Sequence, residues 1–283
     1  MTKQAQLAVI IPANNEAAYI GACLDALLSR TMDCRISIVV SANTCTDETV
    51  EIAQSYEIAF HERGDKLVVI DSQIVGKVAA LTRAECHLGV VGAGELPRAY
   101  LDADVICSPH LITQIAAALD TDQPRYATGV LAVKRAKSKI TRAYARFWME
   151  LPFIKSGAVG AGFFAVNAAG RARWGRFPDI ISDDTYVRLQ FTPDERIEVE
   201  ATYTWPMVEG LAALVRVRRR QDAGVREIAK RYPQVMHNEG KVKPGSGRFI
   251  AMALTMPFAC AVYVGVHVLT RMGRNTDQWT RGR

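Results

Sequence analysis

The sequence predicts an α/β domain with a mainly parallel central sheet flanked by helices. Three observations carry that prediction. Unbroken aliphatic runs of strand length recur in the first part of the chain. Each is followed by apolar residues at helical spacing, and polar turns separate the two.

Leu7–Ile11 is a continuous aliphatic run stopped by Pro12, the pattern of a strand covered on both faces. From Glu16 to Leu28 the apolar residues Tyr19, Ile20, Cys23, Leu24, Leu27 and Leu28 fall at helical spacing. Ile36–Val40 reads as a second buried strand, followed by a polar turn and a helix from about Asp47 to Tyr56. Leu67–Ile70 is a third strand, Lys77–Leu88 a helix, Arg98–Leu101 a short strand and Leu111–Leu119 another helix. The second half is less regular, with strands expected at Ala127–Val133 and Ile197–Ala201. Ligands of such sheets collect beyond the carboxyl ends of the strands.

At 283 residues with 49% apolar composition, the chain is long enough to bury a full core. The net charge of +6 suits a nucleotide diphosphate or an anionic membrane surface, and equally a solvated face. Neither a lysine-rich run nor an aromatic ladder points to nucleic acid. The six cysteines lack the close paired spacing of zinc sites and the density of a disulfide scaffold, so reduced thiols in a cytosolic setting are expected. The polar stretch Met1–Gln6 has no signal-peptide character.

Phe249–Leu269 differs in kind. About 21 residues pass without a formal charge, the minimum for crossing a bilayer core. Lys241, Lys243 and Arg248 precede the run, and Arg271 and Arg274 follow it. The expectation is a hydrophobic, membrane-associated helix over 249–270, either spanning the bilayer or lying in its interface. A linker over 231–248 precedes it and a basic tail over 271–283 follows.

The sharpest local feature is Tyr100-Leu101-Asp102-Ala103-Asp104-Val105, two carboxylates one residue apart after a hydrophobic strand. Hard oxygen ligands of this sort suit Mg2+ or Mn2+ bridged to phosphate oxygens, although many Asp-X-Asp pairs merely start a turn or cap a helix. Pro12-Ala13-Asn14-Asn15-Glu16 and Ser41-Ala42-Asn43-Thr44-Cys45-Thr46-Asp47 are polar loops at equivalent strand ends. They are suited to orient a base and ribose, and Asn15, Thr44 and Asp47 are equally suited to capping helices. No glycine-rich dinucleotide loop or P-loop occurs at these turns, which removes most support from dehydrogenase and NTPase readings.

In order, Val9–Glu16, Asn43–Thr49, Gly76-Lys77-Val78-Ala79-Ala80-Leu81 and Leu101–Asp104 resemble glycosyltransferase family 2, whose fold is the Rossmann-like GT-A architecture. The resemblance covers roughly residues 7 to 225. It implies a GT-A domain over 1–230, with a nucleotide-sugar half at 1–120 and an acceptor half at 121–230. The implied activity is an inverting, non-processive, metal-dependent glycosyl transfer.

Residue by residue, the resemblance places Pro12, Ala13 and Glu16 in the loop that meets the nucleotide. Asn43 stands where the family usually has an aspartate contacting the base, and Lys77 lies near the donor. Asp102 and Asp104 match the motif holding Mn2+ or Mg2+ and the donor diphosphate, with Asp104 the more direct ligand. Gly157–Ala165 resembles the acceptor-side segment, and close packing of a strand on a helix explains its glycines as well. Asp184 matches the general base and Asp183 its supporting neighbour, although acids at that position also suit a helix N-terminus. Arg218 and Arg220 match the family's Arg-X-Arg pair, with Gln221 in place of the usual tryptophan. The cluster Arg216, Arg218, Arg219 and Arg220 suits a diphosphate leaving group or anionic lipid headgroups. His237 is a further residue that a C-terminal loop can bring toward the metal.

The expected partners are a nucleotide-diphosphate sugar and a glycan or lipid-linked acceptor, at the inner face of the cell membrane, in cell-surface glycan or glycolipid synthesis. Two alternatives stay open. One is a degenerate nucleotide-sugar-binding relative, because Asn43 and Gln221 depart from the pattern. The other is a sugar-1-phosphate nucleotidyltransferase, which should open with a glycine-rich, arginine-bearing loop where Pro12–Glu16 stands.

Overall fold

The computed structural model describes residues 5–31, 34–241 and 245–272. Lys243, Arg274 and the basic tail beyond Met272 lie outside them.

The chain runs β1 (Ala5–Ala13), α1 (Ile20–Leu28), β2 (Cys34–Asn43), α2 (Thr49–Gln54), α3 (Glu57–Glu62), β3 (Lys66–Ser72), α4 (Lys77–Val90), β4 (Arg98–Leu101), β5 (Ile106–Cys107) and α5 (Leu111–Ala118). It continues with β6 (Tyr126–Val133), α6 (Lys139–Trp148), α7 (Pro152–Ser156), β7 (Phe163–Val166), α8 (Ala168–Arg171) and α9 (Asp183–Arg188). Then come β8 (Arg196–Trp205), α10 (Leu211–Arg231), α11 (Ser246–Thr255) and α12 (Pro257–Met272). They form two compact units, one of Met1–Ala132, Gly160–Asp179 and Asp194–Trp205, the other of Val133–Val159, Ile180–Pro193 and Pro206–Arg283.

The first unit is built on an eight-stranded sheet in the order β3-β2-β1-β4-β7-β6-β8-β5. The first four strands of that order pair in parallel, with Ile10 opposite both Val39 and Tyr100. Beyond β4 the sheet turns antiparallel, Leu101 facing Phe163 and Tyr126 facing Val166. Leu7–Ile11 is fully buried, as a strand roofed on both faces must be. The parallel register has a functional consequence. Ala13 pairs with Ala42 and Asn43 with Ser72, so the loops after β1, β2 and β4 leave one rim of the sheet.

Two helices differ from the sequence expectation for local reasons. The helix expected from Glu16 starts at Ile20, because Asn15 is left-handed (φ 52°) and the Glu16 carbonyl first closes a turn with the Tyr19 and Ile20 N–H groups. The helix expected from Asp47 to Tyr56 ends at Gln54 and a new one, α3, follows. There Ser55 Oγ takes up the Ile52 carbonyl, and the Tyr56 N–H turns back to Ala53.

The second unit is helical. The apolar run 249–269 is helical too, but in two pieces, and the chain turns through 120° between α11 and α12. Pro257 causes the break: it lacks an N–H, and its ring drives Met256 out of the helical region (φ −136°, ψ 58°). Among the described residues no single helix is long and apolar enough to cross a membrane.

Candidate functional site

At the sheet rim, the loops after β1 and β2 are stitched together by side chains. Asn14 Nδ2 donates to the Asn43 carbonyl (2.6 Å) and the Thr44 carbonyl (3.1 Å). Asn15 Oδ1 accepts from the Thr46 N–H (2.7 Å), and Thr49 Oγ1 accepts from the Glu16 N–H (2.7 Å). Asp47 receives the Ala17 N–H on one oxygen and the Thr49 N–H on the other. Loss of some solvent works to raise the exposed Asp47 carboxyl's affinity for a proton, but the hydrogen bonds from Thr49 and Ala17 outweigh it and hold its pKa below the usual range. Capping accounts for only part of this: Asp47 holds a donor at the start of α2, while both asparagines bridge loop to loop. Asn15 and Thr44 (φ 49°) sit left-handed to make the bridge, and Asn43 is buried beneath it.

The acidic pair follows β4 in a tight turn. The Asp102 N–H donates to the Gly162 carbonyl (2.9 Å) and the Val105 N–H to the Asp102 carbonyl (3.1 Å). Leu101, Ala103 and Val105 are buried, while Asp102 and Asp104 are only half-buried. Gly162 (φ 77°) packs so closely that an added Cβ would lie 2.7 Å from Trp205 and 2.9 Å from Val105. Gly162 is thus packed against strand β8 and the turn after β4 rather than against a helix, and its carbonyl pins the acidic turn. Cys23 Sγ lies beneath, 4.0 Å from the Asp102 carbonyl. Burial, then the charges of Cys107, Asp104 and Asp102, push the Cys23 pKa far up, so the thiol stays neutral.

Lys77, the first residue of α4, is brought to this turn. Its Nζ stands 3.0 Å from Asp102 Oδ1, with both side chains half-exposed. Gly76 (φ 115°) lets the chain enter α4 at that angle, with open space where its Cβ would be. One cluster that the motifs do not reveal fixes α4 against β4. Glu85 takes a bidentate bond from Arg171 (2.6 and 2.7 Å), a hydroxyl from Tyr100 (2.6 Å) and an ion pair from Arg98 (3.1 Å). Burial raises the Glu85 pKa, but Arg171 and Tyr100 overcome it and hold the carboxyl below the usual range.

Among the described residues no three His, Cys, Asp or Glu side chains converge as a metal group. The donor set present is a pair of carboxylates one residue apart in a turn, one of them holding a lysine. That set suits Mg2+ or Mn2+, which keep several waters and need only one or two carboxylates when phosphates complete the shell.

In the second unit, Asp183 and Asp184 form the first turn of α9, and Asp183 is buried. Asp184 Oδ1 accepts the Thr185 N–H (2.6 Å). The segment leading to the pair is docked on α10: the Ile181 N–H donates to Glu227 Oε2 (3.0 Å), and Gly224 lies so near that a Cβ there would meet Ser182 Oγ.

The arginine cluster occupies α10 and is divided by it. Arg218 Nε pairs with Asp222 (3.0 Å) and neighbours Tyr144. Arg219 caps α12 by donating to the Leu269 and Thr270 carbonyls. Arg216 is exposed, and Arg220 is half-buried. His237 is exposed in a 3-10 turn (Pro233–Asn238).

The sequence model of the family described as "Glycosyl transferase family 2" matches residues 8–180. The chain belongs to that family. It is a glycosyltransferase of the GT-A architecture, and the match takes in both rim loops, Lys77, Asp102 and Asp104, ending before Asp183.

Solved glycosyltransferases share this fold. A mannosyltransferase from Pyrobaculum calidifontis in complex with GDP-Man and Mn2+ aligns over 96% of this chain and 76% of its own, at 17% identity and a TM-score of 0.58. S. aureus TarS 1-349 in complex with UDP aligns over 93% and 71%, at 14% identity and a TM-score of 0.52. Glucosyl-3-phosphoglycerate synthase from Mycobacterium tuberculosis in complex with Mn2+, UDP and phosphoglyceric acid aligns over 86% and 81%, at 18% identity and a TM-score of 0.50. No curated protein sequence matches the chain.

Proposed function

We propose that this glycosyltransferase moves a sugar from a nucleotide-diphosphate donor to an acceptor hydroxyl in one displacement that inverts the anomeric centre, with Mn2+ or Mg2+ as cofactor. The observation that carries the reading is the sheet rim: Lys77 and Asp102 meet beside two hydrogen-bonded asparagine loops, so groups for a diphosphate and for a nucleoside share one edge. The solved structures of the same fold support it, since they are complexes with GDP-Man or UDP and, in two of them, Mn2+.

Asp104 and Asp102 are the ligands for the cation, which when bound offsets charge on the departing diphosphate. The loop of Pro12, Ala13 and Glu16 lies along the nucleoside. Asn43, an amide where a carboxylate is usual, both donates and accepts toward the base. Lys77 supplies a fixed positive charge to the phosphates. Asp184 takes the proton from the acceptor hydroxyl, with Asp183 holding its place at the helix start. Arg220 adds a guanidinium for the leaving group, and Arg218 joins it only by giving up Asp222. The acceptor is a growing glycan or a lipid-linked carrier at the inner face of the cell membrane.

The test is a panel of nucleotide-diphosphate sugars, with and without Mn2+, read by thermal shift and by release of the nucleotide. A single sugar nucleotide should shift the melting temperature and turn over only with Mn2+. Equal responses with and without the cation, or none to any donor, would remove the reading.

A further inference from the structure

Helix α12 turns an apolar face to solvent. Its exposed positions are Pro257, Phe258, Ala261, Val264, Val268, Leu269, Arg271 and Met272, and all but the arginine are apolar. At 100° per residue the apolar ones fall within about 140° of arc. Its inward face carries the buried Ala259, Val266 and Thr270 together with the half-buried Tyr263 and His267, packed on α6 and α10. Tyr263 lies against Phe147 and Tyr144, and Thr270 Oγ1 returns to the Val266 carbonyl. Helix α11 is apolar outward as well: Ile250 and Leu254, spaced four apart on it, are 57% and 77% exposed, and Phe258, just past the bend on α12, is 61% exposed. Single exposed apolar side chains are ordinary, but a contiguous face of them along one helix is not.

Charge says what covers this face. Between Glu239 and Asp277 the sequence has no acidic residue, while Lys241, Lys243, Arg248, Arg271 and Arg274 are basic. Arg248 and Arg271 are exposed at the outer ends of the two helices. A symmetric pairing of two copies would set these like charges against each other, whereas an anionic leaflet neutralises them. Geometry says how it sits. The 16 residues of α12 measure about 24 Å, short of the roughly 30 Å of a bilayer core, and the 120° turn at Met256–Pro257 prevents α11 from extending it.

We propose that the α11–α12 elbow is a monotopic docking surface that lies in the plane of an anionic lipid leaflet, with Ile250, Leu254, Phe258, Val264, Val268 and Met272 in the acyl boundary and Arg248 and Arg271 at the phosphates. This deepens the membrane-side reading above by naming the surface and the lipid chemistry. It does not depend on the transfer reaction, because nucleotide release is measured separately without vesicles.

The test is flotation of the full chain with vesicles of phosphatidylcholine alone and of phosphatidylcholine mixed with phosphatidylglycerol. The chain should float with the mixed vesicles, less so as salt rises, and alkaline carbonate should release it. Leu254→Ser with Phe258→Ser and Val268→Ser should lower the vesicle affinity by at least about tenfold. The melting temperature should not change, since these side chains are exposed. Arg248→Glu with Arg271→Glu should remove the preference for anionic lipid. Failure to float with either vesicle, or serine variants that float like the parent, would overturn the proposal. Resistance to carbonate would overturn the in-plane placement. Concentration-dependent dimerisation abolished by the serine variants would give the face to a second copy instead.

Discussion

The ammonium of Lys77 and the carboxylate of Asp102 are 3.0 Å apart, so one ion pair joins the start of α4 to the acidic turn after β4. Both groups are half-exposed, and such a pair contributes about 0–1 kcal/mol to stability. Its importance lies in occupancy: in the free protein, the lysine holds an oxygen that a cation would need. Lys77→Met should therefore leave the melting temperature nearly unchanged and bind Mn2+ alone a few-fold more tightly. The nucleoside diphosphate should bind about tenfold more weakly, because a phosphate partner is lost. Calorimetric titration of each ligand reads the two signs. If both affinities move the same way, Lys77 is not a place-holder at Asp102.

Asp184 and the cation ligands should separate by readout. Asp184→Asn keeps the hydrogen-bond acceptor for the Thr185 N–H but cannot take a proton, so transfer should fall by at least about a hundredfold while donor binding is retained. Asp104→Asn should instead abolish the Mn2+ dependence of donor binding itself. Parallel loss of donor binding in both variants would mean that Asp184 is not acting as the base.

Gly224 offers a test of how the acidic pair is held. A methyl group there meets Ser182, the residue directly before Asp183, and overpacking of this kind costs about 1–3 kcal/mol. Gly224→Ala should reduce kcat with KM for the donor little changed, and it should lower the melting temperature. The exposed neighbour Gln221→Ala, three residues earlier on the same helix, should do neither. Unchanged kcat in Gly224→Ala would show that Ser182 yields without moving the pair.

Much of the fold is legible because β1 and β2 lie in a sheet that buries continuous aliphatic runs, and such runs need no partner to be recognised. The two-residue β5 is too short for such a signature, and the four-residue apolar run of β7 is too short to distinguish from a buried turn of helix; pairing with β8 and β4 makes them strands. Pro257 is visible in the sequence, but whether it kinks or divides the helix depends on whether α12 finds α6 and α10 to pack on. In the candidate site, Lys77 and Asp102 read as separate motifs because each ends or begins an element. The asparagine bridges do not, because they require left-handed Asn15 and Thr44 and reach about thirty residues along the chain. The partners within the arginine cluster are not legible either. Consecutive helical residues point about 100° apart, so Arg218, Arg219 and Arg220 diverge, and in the free protein Arg218 pairs with Asp222 while Arg219 caps the end of α12.

Glu85 carries the clearest pH dependence. Its carboxyl is held below the usual glutamate range in the folded chain, against burial, by Arg171 and Tyr100. A group depressed on folding contributes stability above its unfolded value, about 4.3, and that contribution is lost as pH falls through the folded value. Glu85→Gln removes the charge and leaves Arg98 and Arg171 without their shared counter-ion, at a cost of about 3 kcal/mol at neutral pH. Urea unfolding of both chains should therefore show a wide gap at neutral pH that narrows below about pH 4, because protonation makes the parent resemble the variant. A gap of constant width across that range would mean that Glu85 acts by shape alone. The clamp joins the helix that begins with Lys77 to the strand that ends before Asp102. Glu85→Gln should therefore also weaken nucleoside diphosphate binding, and Glu85→Asp, which restores charge at a shorter reach, should recover part of the stability but less of the binding.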